Sequence, residues 1–172
     1  MKKEIHASTP THEVEELGKV CDKCGHCCKY GTGFAQKNEL KRIADHLKVD
    51  EEKLKKEYFD EANVFNKIVY RPKIKKTDGM PFGPCIFLEK NTCKIQDVKP
   101  LHCKVGNCSE NGEELSEWYT VNHLVDKEND QSLREWSVRT ELKPTIKGGS
   151  TKELVGEEKE KNLFKKYKDM EE

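Results

Sequence analysis

Eight cysteines, confined to two short stretches, constrain the fold of this chain more than any other feature. The first stretch is Cys21-x2-Cys24-x2-Cys27-Cys28, and the second holds Cys85, Cys93, Cys103 and Cys108. A C-x2-C step lets two thiolates converge on one metal from a tight turn. Because the first stretch cannot complete two four-thiolate centres alone, the fold must bring the second stretch beside it.

The composition favours metal over disulfides as the use of these thiols. The chain has no apolar run like that of a signal peptide, and no segment near the ~20 apolar residues of a membrane span. We therefore expect a cytoplasmic protein, in which clustered cysteines more often bind metal or do redox chemistry than form disulfides. Only 34% of its residues are hydrophobic, and bound metal can compensate for a thin apolar core.

The adjacent pair Cys27 and Cys28 indicates two neighbouring centres. Adjacent Cα atoms lie only about 3.8 Å apart, and in extended backbone successive side chains point to opposite sides. Eight thiolates divide into two sets of four, which fits two 4Fe–4S clusters, with two zinc sites as the alternative. The spacing leaves open which downstream cysteine completes which centre. Some thiols could instead be buried and free, Cys93 and Cys108 more readily than the others.

Two histidines, His26 and His102, lie beside cysteines. Each could ligate metal or donate a hydrogen bond to a cluster sulfur, and with eight thiolates available we expect the supporting role. No Ser-His-Asp or nucleophilic-cysteine arrangement stands out. The sequence therefore predicts no catalytic residue, and an enzyme is the less favoured interpretation.

The pattern of elements predicts an α+β fold: a small metal-stapled domain with short helices, a short β-hairpin and a charged C-terminal helical extension. We expect a helix from near Asn38, a second helix capped by Asp50, a strand over 65–70 and a hairpin over 83–95. The fold of residues 113–140 stays open at this point.

Three segments are expected along the chain. Residues 1–18 read as a loose N-terminal arm that packs Val14 and Leu17, and residues 19–141 as the cysteine-cluster metal-binding domain. Residues 142–172 read as a linker and a charged C-terminal helix over roughly 151–169.

The cysteine pattern resembles the CxxCxxCC cysteine-cluster family, whose members are described as zinc- or iron-chelating domain proteins. The resemblance covers about residues 18–108 and rests on Cys21-x2-Cys24-Gly25-His26-Cys27-Cys28, Glu39, Ile43, Pro84-Cys85-Ile86-Phe87-Leu88-x4-Cys93-x-Ile95, Lys99-Pro100-x2-Cys103 and Cys108. Lys99 stands where members usually have Arg. The resemblance implies metal chelation by the cysteines and says little about biological role, since the family has no single established reaction.

Charge and motifs favour a protein that works with a larger partner. The 32 basic and 32 acidic side chains cancel, so we expect no nucleic-acid binding, and we expect no direct membrane insertion. The C-x3-C-x2-C loop of radical adenosylmethionine enzymes is absent. We expect an iron–sulfur-binding, redox- or oxygen-responsive accessory protein that docks on a larger enzyme or complex through the acidic segment 109–141 and the C-terminal helix. The alternatives are a structural zinc-binding interaction module and a small electron carrier.

Overall fold

The computed structural model of the chain describes residues 2–20, 24–76 and 78–165. Its elements in chain order are α1 (Thr11–Gly18), α2 (His26–Tyr30), α3 (Lys37–Leu47), α4 (Glu51–Tyr58), β1 (Phe59–Val64), β2 (Lys67–Pro72), β3 (Leu88–Glu89), β4 (Thr92–Cys93), a 3-10 turn (Gln96–Val98), α5 (Leu101–Val105), α6 (Gly112–Tyr119), a π-helical turn (Thr120–Leu124), α7 (Asp130–Leu142), α8 (Thr151–Val155) and α9 (Glu157–Leu163). Short helices with antiparallel hairpins confirm the α+β prediction. No helix in the described part of the chain is long and apolar enough to cross a membrane.

The helices after the first cysteine stretch form where periodicity predicts them. In α3, Leu40, Ile43 and Ala44 recur at helical spacing and are buried. Asp50 caps α4, because its carboxylate accepts a hydrogen bond from the backbone N–H of Lys53 at 2.8 Å. Both helix starts therefore follow from local signals in the sequence.

Two antiparallel hairpins supply the strands. β1 pairs with β2 along its whole length, and the turn between them has left-handed angles at Phe65 (φ 49°) and Asn66 (φ 58°), as a type I′ turn requires. The predicted strand therefore starts two residues later than expected. The sequence analysis missed β1, whose exposed Asp60 and Glu61 weaken its strand signal. The hairpin expected within 83–95 is present as β3 and β4, with the residues before it in turns.

Two clusters of buried side chains pack these elements together. The first joins α3, α4, the β1–β2 hairpin and the second cysteine stretch, through Ala35, Leu40, Ile43, Ala44, Leu54, Phe59, Tyr70, Cys85, Phe87, Leu88 and Ile95. The second joins α1, α5, α6, α7 and the C-terminal segment, and includes Val14, Val105, Leu115, Trp118, Tyr119, Leu124, Leu133, Trp136 and Leu163. Residues 113–140, left open by the sequence, are thus mainly helical and supply large aromatic side chains to the core.

The N-terminal segment packs against the domain instead of forming the loose arm that we expect from its polar sequence. The backbone N–H of Ala7 donates to the carbonyl of Lys147 at 2.8 Å, and the indole N–H of Trp118 donates to the carbonyl of Thr9 at 2.9 Å. Val14 is fully buried, as expected. The sequence does not show this packing, because hydrogen bonds between residues far apart in the chain leave no periodic pattern of apolar residues.

The C-terminal extension is two helices instead of the one predicted over 151–169. Gly156, at φ 87°, separates α8 from α9. Leu163 is buried in the same cluster as Trp136 of α7, whose indole N–H donates to a backbone carbonyl of the linker at 2.8 Å. The extension is therefore part of the core. Tyr167, expected on the same seam, lies outside the described residues.

Replacing Leu163 by alanine tests this packing. The side chain is 4% exposed, so its truncation should lower the free energy of unfolding by about 2–5 kcal/mol. Leu142→Ala is the matched control, because Leu142 is 85% exposed and its change should stay within about 0.5 kcal/mol. Urea denaturation of both variants gives the comparison, and equal midpoints would show that the extension does not stabilise the core.

Candidate metal centre

Cysteines from both stretches line one cavity of about 940 Å³. The seven described cysteines all contribute to its wall: Cys24, Cys27, Cys28, Cys85, Cys93, Cys103 and Cys108. Cys21, the eighth predicted ligand, lies outside the described residues. The fold therefore brings the described thiols together across the chain, as the sequence analysis requires, while their binding of metal stays a prediction.

Cys27 and Cys28 lie in the short helix α2, with their sulfur atoms 3.9 Å apart. The extended backbone assumed for this pair is therefore wrong, and successive side chains on a helix diverge by about 100°. The backbone N–H of Cys85 donates to the carbonyl of Cys28 at 2.7 Å. This bond fixes the second cysteine stretch directly against the first.

Backbone amides face several of the sulfur atoms. The amide–sulfur pairs are His26 with Cys24, at 3.5 Å, Gly33 with Cys103, Phe87 and Leu88 with Cys85, and Ile95 with Cys93. For Cys103, Cys85 and Cys93, the N–H directed at sulfur favours the thiolate and acts to lower the pKa of the thiol. Because the thiolate is the form that binds metal, these amides prepare the cysteines for coordination.

Burial acts in the opposite direction on the deeper thiols. It raises the pKa of Cys85 and of Cys93, and it is the main cause that raises the pKa of Cys103 to about 12. The pKa of Cys27 falls to about 6, chiefly because the Cys28 thiol donates a hydrogen bond to it, and the pKa of Cys28 rises for the same reason. In the metal-free protein the buried thiols are therefore protonated, and a metal that binds them must displace these protons.

Glu39 anchors the helix that carries Cys103. Its carboxylate is 6% exposed and accepts hydrogen bonds from the backbone N–H of Leu101 at 2.9 Å and from the Arg42 guanidinium at 3.1 Å. The bond to Leu101 satisfies one of the free amides at the start of α5. Arg42 also donates to the carbonyl of Lys99 at 3.0 Å. The sequence analysis noted Glu39 only within the family pattern, since its partner lies 62 residues away.

His102 holds the loop that covers Cys103. Its Nδ1 accepts a hydrogen bond from the backbone N–H of Phe34 at 3.0 Å, so the neutral ring carries its proton on Nε2, 3.2 Å from the Ser116 hydroxyl. Burial lowers the pKa of His102 to about 4 and keeps the ring neutral. The imidazole stacks on the Tyr119 ring, with centroids 4.3 Å apart. Both ring nitrogens are thus engaged by groups other than sulfur, and a supporting role for His102 toward metal stays a prediction.

His26 lies on the exposed side of α2. Its ring contacts that of Tyr30, with centroids 5.1 Å apart, and its contact to sulfur is through the backbone N–H. A role for its imidazole toward the metal stays a prediction.

The donor set at the cavity consists of thiols faced by backbone amides. Among the described side chains, no group of three or more His, Cys, Asp or Glu is placed to hold a metal ion. Thiolates supported by amides are ligands that both zinc and iron–sulfur sites use.

The family model described as "CxxCxxCC: Putative zinc- or iron-chelating domain" matches residues 20–132, more than half of the chain. The chain belongs to the CxxCxxCC family. The match contains all eight cysteines and ends within α7, beyond the region on which the resemblance rests. Membership supports metal binding at the cavity. No curated protein and no solved structure gives a significant match to the chain.

Gly33 tests whether the loop over Cys103 matters for metal binding. A Cβ on Gly33 would lie 2.6 Å from the Cys103 sulfur and 3.2 Å from its backbone nitrogen. Gly33→Ala should therefore displace the sulfur and lower the metal bound per chain in elemental analysis. Gly31→Ala is the control, because its backbone is extended and a Cβ there would lie 3.9 Å from the carbonyl oxygen of Cys27, an ordinary contact. Equal amounts of bound metal per chain in the two variants would show that the contact between Gly33 and Cys103 does not matter for metal binding.

Glu39→Ala should destabilise the protein by about 1–3 kcal/mol, because it leaves the backbone amides of Leu101 and Gln36 without their carboxylate acceptor. Asp45→Ala is the control in the same helix, where the exposed ion pair of Asp45 with Lys41 at 3.2 Å contributes at most about 1 kcal/mol. Urea unfolding of the two variants is compared with and without metal. Equal losses would contradict an anchoring role for Glu39.

Proposed function

We propose that this protein is an iron–sulfur-binding accessory protein of the cytoplasm, redox- or oxygen-responsive, that docks on a larger enzyme or complex. The observation that carries the proposal is the cavity lined by thiols from both cysteine stretches. Membership in a zinc- or iron-chelating family supports bound metal. When bound, an iron–sulfur cluster supplies a site that exchanges electrons and that oxygen can attack.

Each part of the site has a role in this proposal. The cysteines hold the metal, Cys21 included, and two 4Fe–4S clusters would use all eight thiolates. The backbone amides stabilise the thiolates, and the neutral His102 keeps the Phe34 loop over the cavity. Cys103 then takes its position from α5, which Glu39 anchors.

Structural zinc is the second candidate, and one distance favours it. Two thiolates on a tetrahedral zinc, with Zn–S bonds of about 2.3 Å, lie about 3.8 Å apart. The sulfur atoms of Cys27 and Cys28 are 3.9 Å apart. The cavity volume favours the larger iron–sulfur centres.

Anaerobic purification tests the metal directly. We expect a brown protein with a charge-transfer spectrum in the visible range and comparable amounts of iron and acid-labile sulfide. Protein stripped by a chelator under the same conditions is the control. If the protein responds to oxygen, air should bleach the spectrum, and a spectrum that is stable in air would contradict the oxygen response. A colourless protein with stoichiometric zinc would contradict the iron–sulfur function and support the structural zinc module.

Acid should release the metal. Burial raises the pKa of Cys85, Cys93 and Cys103, so in the metal-free protein these thiols hold protons that metal binding must displace. Lower pH favours the protonated, metal-free form, so retention should fall progressively as the pH falls below the raised pKa values of these thiols. Chelator competition at a series of falling pH values measures the effect. Retention that does not change with pH would contradict coordination by these thiolates.

Exposed apolar side chains beside the site support docking there. Tyr30, Met80 and Phe82 are 58%, 51% and 40% exposed, and the rings of Tyr30 and Phe82 lie 6.0 Å apart. Tyr30 belongs to α2, the helix that carries Cys27 and Cys28. We place the partner on this face, because the buried side of the C-terminal extension is already packed in the core.

A photo-crosslinking residue at position 82 tests the docking face. In extracts of the native cell we expect cross-links to one defined complex, lost after Tyr30→Ser. The matched control is the same residue at position 68, since Ile68 of β2 is 51% exposed and outside this face. Cross-links of equal yield from both positions would contradict docking at α2.

A further inference from the structure

Three of the thiols share a buried apolar environment. Cys85 is 8% exposed and belongs to the cluster that includes Phe87 and Ile95. Cys28 and Cys93 pack against the same cluster. These cysteines come from α2, from the turn before β3 and from β4, so the core itself brings them together.

Cys103 of α5 is the fourth thiol that is partly shielded from solvent. It lines the same cavity and, like Cys28 and Cys93, is only partly exposed. A Cβ on Gly33 would lie 2.6 Å from its sulfur, so the loop at Gly33 covers Cys103. The backbone bond from Cys85 to Cys28, at 2.7 Å, holds two of these cysteine segments together.

The remaining described thiols face solvent. Cys24, Cys27 and Cys108 are exposed. All three line the same cavity as the partly buried thiols. Because they are exposed, they lie on its solvent-facing side.

The helix α2 explains how adjacent residues reach different environments. Side chains of successive helical residues diverge by about 100°, so Cys28 turns toward the core while Cys27 turns toward solvent. The 3.9 Å between their sulfurs places the two environments side by side.

We propose that the thiols divide into an inner set, Cys28, Cys85, Cys93 and Cys103, which holds one centre within the core, and an outer set, Cys24, Cys27 and Cys108, which belongs to a separate, solvent-accessible centre. This division rests on the proposed function only in that metal is bound, and the loading experiment distinguishes iron from zinc. The inner centre stabilises the fold, because its ligands join elements that pack in the core. The outer centre meets chelators and oxygen first.

Matched serine variants of the two sets test the division. The outer variants are Cys108→Ser and Cys24→Ser, and the inner variant is Cys93→Ser. Each is loaded anaerobically with iron and sulfide, or with zinc alone, and the metal per chain, the rate of its release to a chelator and the thermal midpoint are measured. Circular dichroism and size-exclusion chromatography show which variants are folded.

The native protein should release its metal in a fast and a slow phase. Each outer variant should lose about half of the metal and the whole fast phase while keeping the slow phase and nearly the native midpoint. Cys93→Ser should lose the slow phase and have a lower midpoint. Two outer variants are used so that misfolding of one does not decide the result.

Release in one phase, or the same loss of metal and of midpoint in folded outer and inner variants, would overturn the division. An iron–sulfur spectrum with one-phase release would leave the proposed function standing and remove the two sets. If the native protein binds two zinc ions and each outer variant binds one, the iron–sulfur function would be wrong, and the division into an inner and an outer set of thiols would be supported.

Discussion

The hydrogen bond from the Cys85 amide to the Cys28 carbonyl, at 2.7 Å, marks the contact on which the rest of this structure depends. It joins two cysteine stretches that are far apart in sequence, and the cavity forms where they meet. One buried cluster lies on the side of α3 and the hairpins, and the other on the side of α6 and α7. In a chain with only 34% hydrophobic residues, metal bound to thiols between the clusters would add stability that neither cluster supplies alone.

Local signals in the sequence predict the parts of the fold that local interactions form. The periodic apolar residues of α3 and the Asp50 cap of α4 need only their neighbours in the chain. The packed N-terminal segment was missed because its partners are distant in sequence. The strand β1 was missed because the exposed Asp60 and Glu61 weaken its strand signal. The break at Gly156 was also missed, since a charged sequence that favours helix on both sides conceals it.

The candidate site shows the same contrast between features that the sequence predicts and features that depend on distant contacts. Cysteine spacing predicts that the two stretches meet, because the first stretch cannot complete two four-thiolate centres alone. The groups that position them act through the backbone: Glu39 on the Leu101 amide, His102 on the Phe34 amide and the Gly33 amide on sulfur. A single sequence does not show which group a buried carboxylate or a glycine contacts. The roles of these residues can therefore be found only from the three-dimensional structure.

The contrast between buried and exposed thiols has a consequence for how such a site would respond. Core packing leaves Cys85 buried and Cys28 only partly exposed, whereas the adjacent Cys27, on the same helix, faces solvent. A change of charge or ligation at Cys27 acts on Cys28 across 3.9 Å, in surroundings where electrostatic interactions are strong. The helix α2 also carries Tyr30, exposed on the proposed docking face. One five-residue helix thus connects the accessible thiols, the protected thiols and the surface that a partner would contact.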